Sequence, residues 1–511
     1  MTLLPSGRPT ARPLRSHSES AEKWFYGLAI LFGVYLRLAG FWKPSLWLDE
    51  LTTVHAASAE NWAALWQRCR FEFHPPLYYL VVKVFLFVQP NEFFVRLPSL
   101  LFGLASIAVL MMAVRRAAGG QGALYAGAIY ALNSQAIYYS QEARMYGMAL
   151  FLAAVSVHAF VAATAGGGRQ ALLAYALATL LISYTHLIYS SVLAGQIVVA
   201  LWLFFSLRER REDLRRLLWT QMAVLLLMMP LAPLYVSLAG SRDRAFGWIP
   251  PPDLDWLRHT LKWPDNTLAA GVVALALPLV WINRRKLRFS TTPEKALLGL
   301  GICYLALFAA AMALARLGLA NIMVPRYLLP SLLGIVILLA MLTVKSGAPS
   351  LRMILWTYIC FLAGFQALLY FQKGPWVGFP QQDWRGAAFW IQARYQPGDV
   401  VLLHSGLAPV KTLSPGVPGA QQYLAAPLGG FYDRGGMERF NLPWGAGELE
   451  TSPFTPPDVR ERVRRARQIF VLVNAPLEVW DWGALERWIQ EPGRPPRLKE
   501  TKMFQELEVQ V

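Results

Sequence analysis

An acidic pair follows the first apolar stretch of the chain. Asp49 and Glu50 stand in the segment SLWLDE, among aromatic and apolar neighbours. Such a low-dielectric setting disfavours the charged form of a carboxylate unless a cation or donor supports it, which suits a general base. The plainer interpretation is a helix that begins here, capped by Ser45 or Asp49 and carrying the acidic pair in its first turn.

Two histidines lie between apolar stretches. His74 precedes two prolines in FEFHPPLYY, and His186 lies in SYTHLIY. His74 could donate to a phosphate, bind a metal ion, or serve only in capping and packing. A divalent metal ion is left open as a cofactor, with Asp49, Glu50 or His259 as further ligands, because these residues do not identify a metal.

Two arginine-bearing turns extend this set. Glu142, Arg144 and Tyr146 alternate in SQEARMYG, and Arg326 precedes Tyr327 in VPRYLLP. The guanidinium group is well shaped to hold phosphate oxygens. The alternatives are an ion pair between Glu142 and Arg144, and an Arg326 that extends toward the membrane surface beside an aromatic neighbour.

The composition predicts the environment in which these residues act. Of 511 residues, 55% are hydrophobic and only 15% are charged, and the mean hydropathy is +0.36. Soluble domains carry about a quarter charged residues, so this chain is predicted to be a membrane protein. The net charge is +17, and the basic residues lie in short runs between apolar stretches. This pattern favours a role in setting the membrane topology over nucleic-acid binding.

Eleven apolar stretches are predicted to span the membrane after a polar cytoplasmic tail, 1–23. They are 24–42, 98–114, 121–138, 146–165, 170–185, 188–206, 217–236, 267–282, 296–315, 327–344 and 353–371. The short stretch 76–88 contains Lys83 and is predicted to lie at the interface. If it crossed, the basic runs near residues 115, 208–216 and 284–288 would lie outside, against the positive-inside rule.

This topology predicts a cytoplasmic N-terminus in the plasma (inner) membrane and chemistry on the extracytoplasmic face. The first outer loop is 43–97, and it contains Asp49, Glu50 and His74. The turns with Glu142, His186 and Arg326 fall on the same side. Pumps and channels place such groups within their spans, so this placement favours an interfacial enzyme whose substrate arrives from the lipid.

The last part of the chain, 372–511, is predicted to be a small soluble α/β domain outside the membrane. Strands are predicted at 399–404, 468–473 and 504–511, and helices at 384–395 and 458–468, around a central Gly/Pro-rich stretch, 405–457. The predicted fold class is therefore an α-helical polytopic membrane protein with a C-terminal α/β extracytoplasmic domain.

Several segments together resemble a known family. WLDE, FEFHPPLYYL, RLPSLLFG, SQEARMYG and PRYLLP are similar to bacterial members of the protein O-mannosyltransferase and aminoarabinose-transferase group. These are GT-C glycosyltransferases, and the likeness to the dolichyl-phosphate-mannose-protein mannosyltransferase-like class covers roughly residues 24–371. The resemblance implies a multi-span bundle with a large first outer loop and a variable soluble C-terminal region.

The resemblance also implies an activity and roles for residues. The family transfers a sugar, with inversion, from a polyprenyl-phosphate carrier to a glycan, lipid or protein acceptor. Asp49 matches the acidic residue proposed as catalytic base, and Glu50 is its motif partner. His74 matches a polar position near the donor, and Glu142 with Arg144 matches the second outer-loop motif, where some relatives carry aspartate.

In this mechanism Asp49 accepts the proton of an attacking hydroxyl. Arg144, Arg326 and His186 are the candidates to neutralise the departing lipid phosphate. Two other classes of protein remain as alternatives. A transporter or flippase of lipid-linked glycans should carry polar groups along broken spans, and a scaffold with a sensory outer domain would not need these motifs on one face.

Overall fold

The computed structural model describes residues 15–241, 246–247, 249–253, 277–374, 382–407, 417–433, 436–474, 481–490, 500–504 and 507–510. Helices form most of this part of the chain. The first eleven are α1 (Arg15–Leu38), α2 (Leu48–Ala57), α3 (Trp62–Glu72), α4 (Leu77–Val88), α5 (Glu92–Leu132), α6 (Ser134–Gln141), α7 (Tyr146–Thr164), α8 (Gly168–Thr185), α9 (Ser191–Ser206), α10 (Arg211–Leu227) and α11 (Ala232–Gly240).

The later elements include three long helices and a small sheet. The helices are α12 (Thr292–Arg316), α13 (Leu329–Ser346), α14 (Pro349–Lys373), α15 (Trp384–Gln392), α16 (Ala420–Leu424), α17 (Pro457–Arg464) and α18 (Trp482–Ile489). The strands are β1 (Val400–His404), β2 (Arg439–Asn441), β3 (Ile469–Val473), β4 (Thr501–Phe504) and β5 (Leu507–Gln510).

Seven helical segments of the described chain are long and apolar enough to cross a membrane. They are Glu92–Leu132, Tyr146–Thr164, Ile188–Ser206, Arg208–Gly240, Thr292–Arg316, Leu329–Ser346 and Pro349–Gln372. The chain is therefore a multi-pass membrane protein, as its composition predicted. Helices also occupy the predicted spans within α1 and α8, whereas residues 267–276 of the predicted span 267–282 lie outside the described residues.

Helix α5 contains the predicted span 98–114 and most of the predicted span 121–138, whose last residues, from Ser134, belong to α6. Gly119 breaks the helix with φ of 66° and ψ of −169°, a conformation that side chains other than glycine's rarely adopt. A Cβ at Gly127 would lie 2.6 Å from Sδ of Met111. These residues are equally far from Gly119, so the two halves fold back on each other as an antiparallel pair.

Arg37 joins α1 to the end of α5. It is fully buried, and Nη1 donates to the carbonyls of Gly33 (2.8 Å) and Ala131 (2.5 Å), while Nε donates to Ser140 Oγ (3.2 Å). Arg37 therefore faces the bundle interior. A Cβ at Gly33 would lie 2.3 Å from the carbonyl oxygen of Ala131, so this close approach requires a glycine.

A buried polar network crosses the bundle. Gln196 on α9 accepts from Tyr175 (3.0 Å) and donates to Ser156 (2.8 Å) and Tyr304 (3.0 Å). Gln221 on α10 donates to the Tyr175 hydroxyl (3.0 Å). The network links α7, α8, α9, α10 and α12, and interhelical hydrogen bonds of this kind supplement van der Waals packing where lipid provides no hydrophobic drive.

The C-terminal strands form one sheet in the order β2-β1-β3-β5-β4. Strand β1 is parallel to β2 and β3, with Leu402 opposite Phe440 and Val471, whereas β5 is antiparallel to β3 and β4. The strands predicted at 399–404 and 468–473 are confirmed. The strand predicted at 504–511 corresponds to β5, whereas β4, which ends at Phe504 and pairs with β5 in the antiparallel sense, was not predicted.

Strands β1 and β3 are buried on both faces, as strands in parallel sheets usually are. Val400 and Leu402 pack against α17 and α18. Val401 and Leu403 share a core with Leu51 of α2 and its neighbours in the first loop. Side chains alternate along a strand, so one face of the sheet holds the helix that carries Asp49 and Glu50.

The first helix differs from its prediction. Helix α1 begins at Arg15, so residues 15–23, predicted as part of a tail, continue the helix of the first span. The helix also ends at Leu38, before the predicted end at residue 42. Residues 15–23 contain no proline or glycine, so nothing in them stops the helix from extending beyond its apolar part.

Candidate active site

Helix α2 presents the acidic pair in two different directions. The helix begins at Leu48, so Asp49 and Glu50 lie in its first turn and neither Ser45 nor Asp49 is its cap. The Asp49 carboxylate is about a quarter exposed and lies 3.7 Å from Nη1 of Arg326. Asp49 thus remains partly accessible, whereas Glu50 is fully buried.

Glu50 forms a buried ion pair with Arg96. Nε and Nη2 of Arg96 donate to the two carboxylate oxygens at 2.7 and 2.5 Å. Glu50 also accepts from the backbone N–H of Ala143 (2.8 Å) and of Trp47 (3.2 Å). Arg96 donates further to three backbone carbonyls, at Phe41, Pro44 and Ser45. The pair fixes α2, α5 and the turn before α7 relative to one another.

Arg144 lies between the backbone of α2 and the end of α3. Its Nη1 donates to the Asp49 carbonyl oxygen at 3.1 Å and contacts Glu72 Oε2 at 3.3 Å. Although burial opposes charge, the nearby carboxylates of Asp49 and Glu72 raise the pKa of Arg144 well above its usual value. Arg144 therefore carries a positive charge in the site at all accessible pH.

Glu72 connects the site to the C-terminal sheet. It accepts a hydrogen bond from the Tyr423 hydroxyl of α16, and Nδ1 of His74 lies 3.7 Å from it, too far for a hydrogen bond. Burial would raise the pKa of Glu72, but His74, Arg144 and Tyr423 lower it to about 2. Glu72 is therefore an anion under all ordinary conditions.

Arg326 completes the basic part of the site. It lies in the short 3₁₀ turn Pro325–Tyr327, and the Tyr189 hydroxyl donates to its carbonyl oxygen at 2.8 Å. Its guanidinium group is about a quarter exposed, beside Asp49. Burial alone would lower the pKa of Arg326, but Tyr146, Asp49 and Tyr327 raise it above its usual value, so the guanidinium stays charged.

His186 follows α8 and is surrounded by rings. The ring centroids of His74, Tyr146, Tyr189 and Tyr327 lie 5.2, 5.5, 4.9 and 5.6 Å from its own. Within the described chain neither of its ring nitrogens has a hydrogen-bond partner. Burial, His74 and the two arginines lower the pKa of His186 well below its usual value. A neutral imidazole with free polar atoms therefore borders a cavity of about 40 Å³ that it shares with His74 and Tyr327.

Glu142 is the carboxyl group with the most unusual setting. It is buried after α6, where Tyr138 donates weakly to Oε1 (3.4 Å) and Oε2 has no partner in the described chain. Burial first, and then the carboxylates of Glu50 and Asp49, raise the pKa of Glu142 to about 8. At neutral pH this carboxyl group therefore holds a proton.

The structure brings together most of the residues singled out in the sequence. Glu142, Arg144 and Arg326 lie near Asp49. His74, His186, Tyr146 and Tyr327 lie beside one or both of these arginines. A Cβ at Gly147 would lie 2.7 Å from the carbonyl oxygen of Tyr139, so the glycine in SQEARMYG allows α7 to begin tightly against α6.

Three residues of the site were not identified from the sequence. Glu72 stands in the quoted segment FEFHPP and Arg96 in RLPSLLFG, so both were within recognised motifs. Tyr423 belongs to the predicted irregular stretch 405–457, and no local pattern connects it to the first loop.

The side chains around His74 do not favour the hypothesis of a metal ion there. Among the described residues no group of three or more histidine, cysteine, aspartate or glutamate side chains could hold a metal ion. His259, offered as a partner, lies outside the described residues. The charge of Arg144 beside Glu72 and His74 opposes a second cation at this position.

A pH profile tests the protonated state of Glu142. As pH rises through about 8, Glu142 loses its proton and adds a negative charge beside Asp49. Because the folded state holds this proton more tightly than the unfolded chain, the folded state loses stability as pH rises from the ordinary pKa of 4.5 to about 8. We expect Glu142→Gln, which mimics the protonated form, to keep its activity. Its melting temperature should decline less than that of the wild type between about pH 4.5 and 8, and its kcat/KM should decline less as pH rises past about 8.

Glu448→Gln, an exposed change in the C-terminal sheet unit, is the matched control and should retain the wild-type profile. If Glu142→Gln is inactive at every pH, the carboxylate itself is required and the protonated form is not the functional one.

The architecture is a GT-C-type membrane fold, with a helical bundle, helices in the first loop and a small C-terminal sheet. Two crystal structures of ArnT from Cupriavidus metallidurans share it. The structure bound to undecaprenyl phosphate matches with a TM-score of 0.55 at 13% identity, over 96% of this chain and 98% of that chain. The apo structure matches with a TM-score of 0.52 at 16% identity, over 89% and 93%.

The likeness confirms, for the fold, the resemblance seen in the sequence. No protein-family model matches the chain, and a search of curated proteins finds no significant match.

Proposed function

We propose that this protein is an inverting glycosyltransferase that moves a sugar from a polyprenyl-phosphate carrier to an acceptor hydroxyl. The observation that carries the proposal is the meeting of Asp49, Arg144 and Arg326 at one end of a membrane-spanning bundle, with Arg326 Nη1 3.7 Å from the Asp49 carboxylate. A proton acceptor and two fixed cations are the groups that such a transfer requires.

Asp49 acts as the general base. The acceptor hydroxyl attacks the anomeric carbon from the face opposite the lipid phosphate, the bond from the sugar to the phosphate oxygen breaks, and Asp49 takes the hydroxyl proton. Asp49 suits this role because it is the one carboxylate of α2 that remains partly exposed. Glu50, tied to Arg96, positions the helix and does not contact the substrate.

Arg144 and Arg326 stabilise the leaving lipid phosphate. Both keep their charge, since nearby carboxylates and phenols raise the pKa of each above its usual value. His186 and His74 add neutral imidazole groups, because burial lowers the pKa of both. Preorganised donors in a low-dielectric site stabilise developing charge more strongly than water does. The crystal structure of ArnT with undecaprenyl phosphate supports a polyprenyl-phosphate partner for this fold.

The proton held by the buried Glu142 keeps the charges of the site in balance. Asp49 and Glu72 as anions are matched by Arg144 and Arg326 as cations. An ionised Glu142 would add a third negative charge just where the donor's phosphate must bind. With Glu142 neutral, the phosphate enters a site without excess negative charge.

The site faces the extracytoplasmic side of the inner membrane in this proposal. The basic runs near residues 115, 208–216 and 284–288 lie close to the Gly119 break of α5, at the start of α10 and before α12, at the helix ends away from Asp49. Positive residues accumulate on the cytoplasmic side, so the first loop and the sheet, 372–511, are placed outside. The donor then reaches the site from the outer leaflet.

A panel of purified polyprenyl-phosphate sugars tests the function. We expect one donor to raise the melting temperature of the full-length protein in lipid nanodiscs, by the mass-action stabilisation of a folded state that binds ligand. The same donor should lose its sugar when an acceptor hydroxyl is supplied.

The bare polyprenyl phosphate is the control for binding without transfer. Movement of an intact lipid-linked glycan across proteoliposomes, with no cleavage of the donor, would support the flippase alternative and overturn the transferase.

A further inference from the structure

A second and larger cavity lies beside the site, between the first loop and the C-terminal sheet. Its volume is about 840 Å³, against about 40 Å³ for the cavity at His74 and His186. Pockets for small ligands are typically about 300–1,000 Å³. Helices α2, α3 and α4 form one side and residues 421–441 the other, so the space is large enough for a lipid head group.

The charge of this cavity is positive. Arg68, Lys83 and Arg439 contribute to its wall, and the described residues that form the wall include no aspartate or glutamate. Arg68 pairs with Glu60, and Arg439 pairs with Asp433. Lys83 donates to the Ala59 carbonyl and makes no ion pair with any described residue. An anionic group is therefore the ligand that this charge favours.

One wall of the cavity is apolar and continues onto an exposed surface. Leu86 and Phe87 of α4 form this wall, and Phe87 is 80% exposed. Helix α4 carries eleven apolar or aromatic residues besides Lys83, and it is too short at 12 residues to cross a membrane. An exposed apolar surface of this kind lies in a membrane interface, so the cavity opens beside lipid chains.

The opposite wall offers hydrogen bonds. Gln421, Gln422 and Asn441 belong to it. Asn441 is 5% exposed, and its Nδ2 donates to the side-chain and backbone oxygens of Gln421 (2.7 and 3.0 Å). Its Oδ1 has no partner among the described residues. A buried acceptor without a donor costs free energy, and a ligand hydroxyl in the cavity would satisfy it.

Two connections join this cavity to the proposed site. Tyr423, next to Gln422 on α16, donates to Glu72. Helix α2 carries Asp49 near its start and His55 at the cavity wall. Six residues of helix span about 9 Å at 1.5 Å per residue. A head group of a few sugar or polyol units therefore reaches from the cavity to the carboxylate.

We propose that this cavity binds the acceptor, and that the acceptor is an anionic amphiphile with a hydroxyl-bearing head group. The role of this ligand as acceptor rests on the proposed transferase function, whereas the binding site itself does not. The positive wall holds the anionic group, α4 contacts the acyl chains, and Asn441 orients a hydroxyl. The C-terminal sheet thereby contributes half of the substrate-binding surface.

A direct binding measurement tests the site. The full-length protein in neutral detergent is titrated with short-chain phosphatidylglycerol, which has a negative charge, acyl chains and head-group hydroxyls. Short-chain phosphatidylcholine and inorganic phosphate are the comparison ligands. We expect phosphatidylglycerol to bind roughly tenfold more tightly than either comparison ligand. Phosphatidylcholine would lose a charge-assisted contact, and inorganic phosphate would lose the apolar contacts.

Variants locate the binding. Lys83→Gln should weaken phosphatidylglycerol roughly tenfold, and Asn441→Leu should weaken it by a few-fold. Arg215→Gln, a cation of α10 with an exposed side chain, should leave binding unchanged. Wild-type affinity in Lys83→Gln would overturn the site, and equal affinity for inorganic phosphate would overturn the amphiphile.

The two proposals fail in different ways. Asp49→Asn should bind phosphatidylglycerol as the wild type does, because Asp49 does not form part of the cavity wall. If the protein binds the lipid at this cavity but uses no polyprenyl donor, only the proposal of a transferase is overturned. If the protein is a transferase but Lys83→Gln leaves its acceptor KM unchanged, only the proposal of the acceptor site is overturned.

Discussion

Replacing Asp49 by asparagine is expected to lower kcat for sugar transfer by about 10²–10⁴-fold, the contribution of a positioned general base. Asparagine has the same shape but cannot accept a proton at neutral pH. The change also removes a negative charge 3.7 Å from Arg326, so donor affinity should stay the same or increase. A steady-state assay with separate kcat and donor KM distinguishes this result from a loss of binding.

Asp213→Asn is the matched control, since Asp213 forms only a partly exposed pair with Arg210 at the start of α10. It should leave both parameters unchanged. A wild-type kcat in Asp49→Asn would show that the proton goes elsewhere, and Glu142 would then be the next carboxyl group to examine.

The second large effect concerns stability. Arg96→Met leaves Glu50 buried without its cation and leaves three carbonyl groups without their donor. Breaking one side of a buried ion pair costs about 3–5 kcal/mol. We expect a markedly lower melting temperature in detergent, together with a lower kcat, because the pair positions the helix that carries Asp49.

The double variant Glu50→Gln/Arg96→Met removes both charges and should recover part of the lost stability. Arg216→Met, which breaks an exposed pair with Glu212, should show no measurable change in melting temperature. If Arg96→Met is as stable as the wild type, the pair does not hold the first loop in place.

Much of the site was predictable because the predicted topology alone puts its turns at one end of the bundle. The basic runs predicted that α4 lies at the interface, and this prediction put Glu142, His186 and Arg326 on the face that carries Asp49. Their distances were not predictable. Whether Asp49 approaches Arg326 or Arg96 depends on how α2 packs, and this packing involves segments far apart in sequence.

The different settings of the two adjacent carboxylates illustrate this limit. In the sequence Asp49 and Glu50 are an acidic pair with similar chemistry. The structure buries Glu50 against an arginine 46 residues away, while Asp49 stays at the surface of the site. Successive positions on a helix point about 100° apart, so neighbouring residues face different surroundings.

The sheet shows why short elements escape sequence analysis. Strand β2 has only three residues and lies in a stretch rich in glycine and proline. It is recognised as a strand mainly because it pairs with β1. Strand β4 ends where the predicted strand 504–511 begins, and its four residues, TKMF, do not alternate between polar and apolar side chains, so no pattern indicated it.

The contacts of Arg37 have a consequence for biogenesis. During synthesis α1 enters the translocon before its partners exist, since the carbonyl of Ala131 and the hydroxyl of Ser140 are made about a hundred residues later. An arginine near the end of a lone helix keeps its charge in the head-group layer. The first helix therefore reaches its final depth only when the chain up to α6 has left the ribosome.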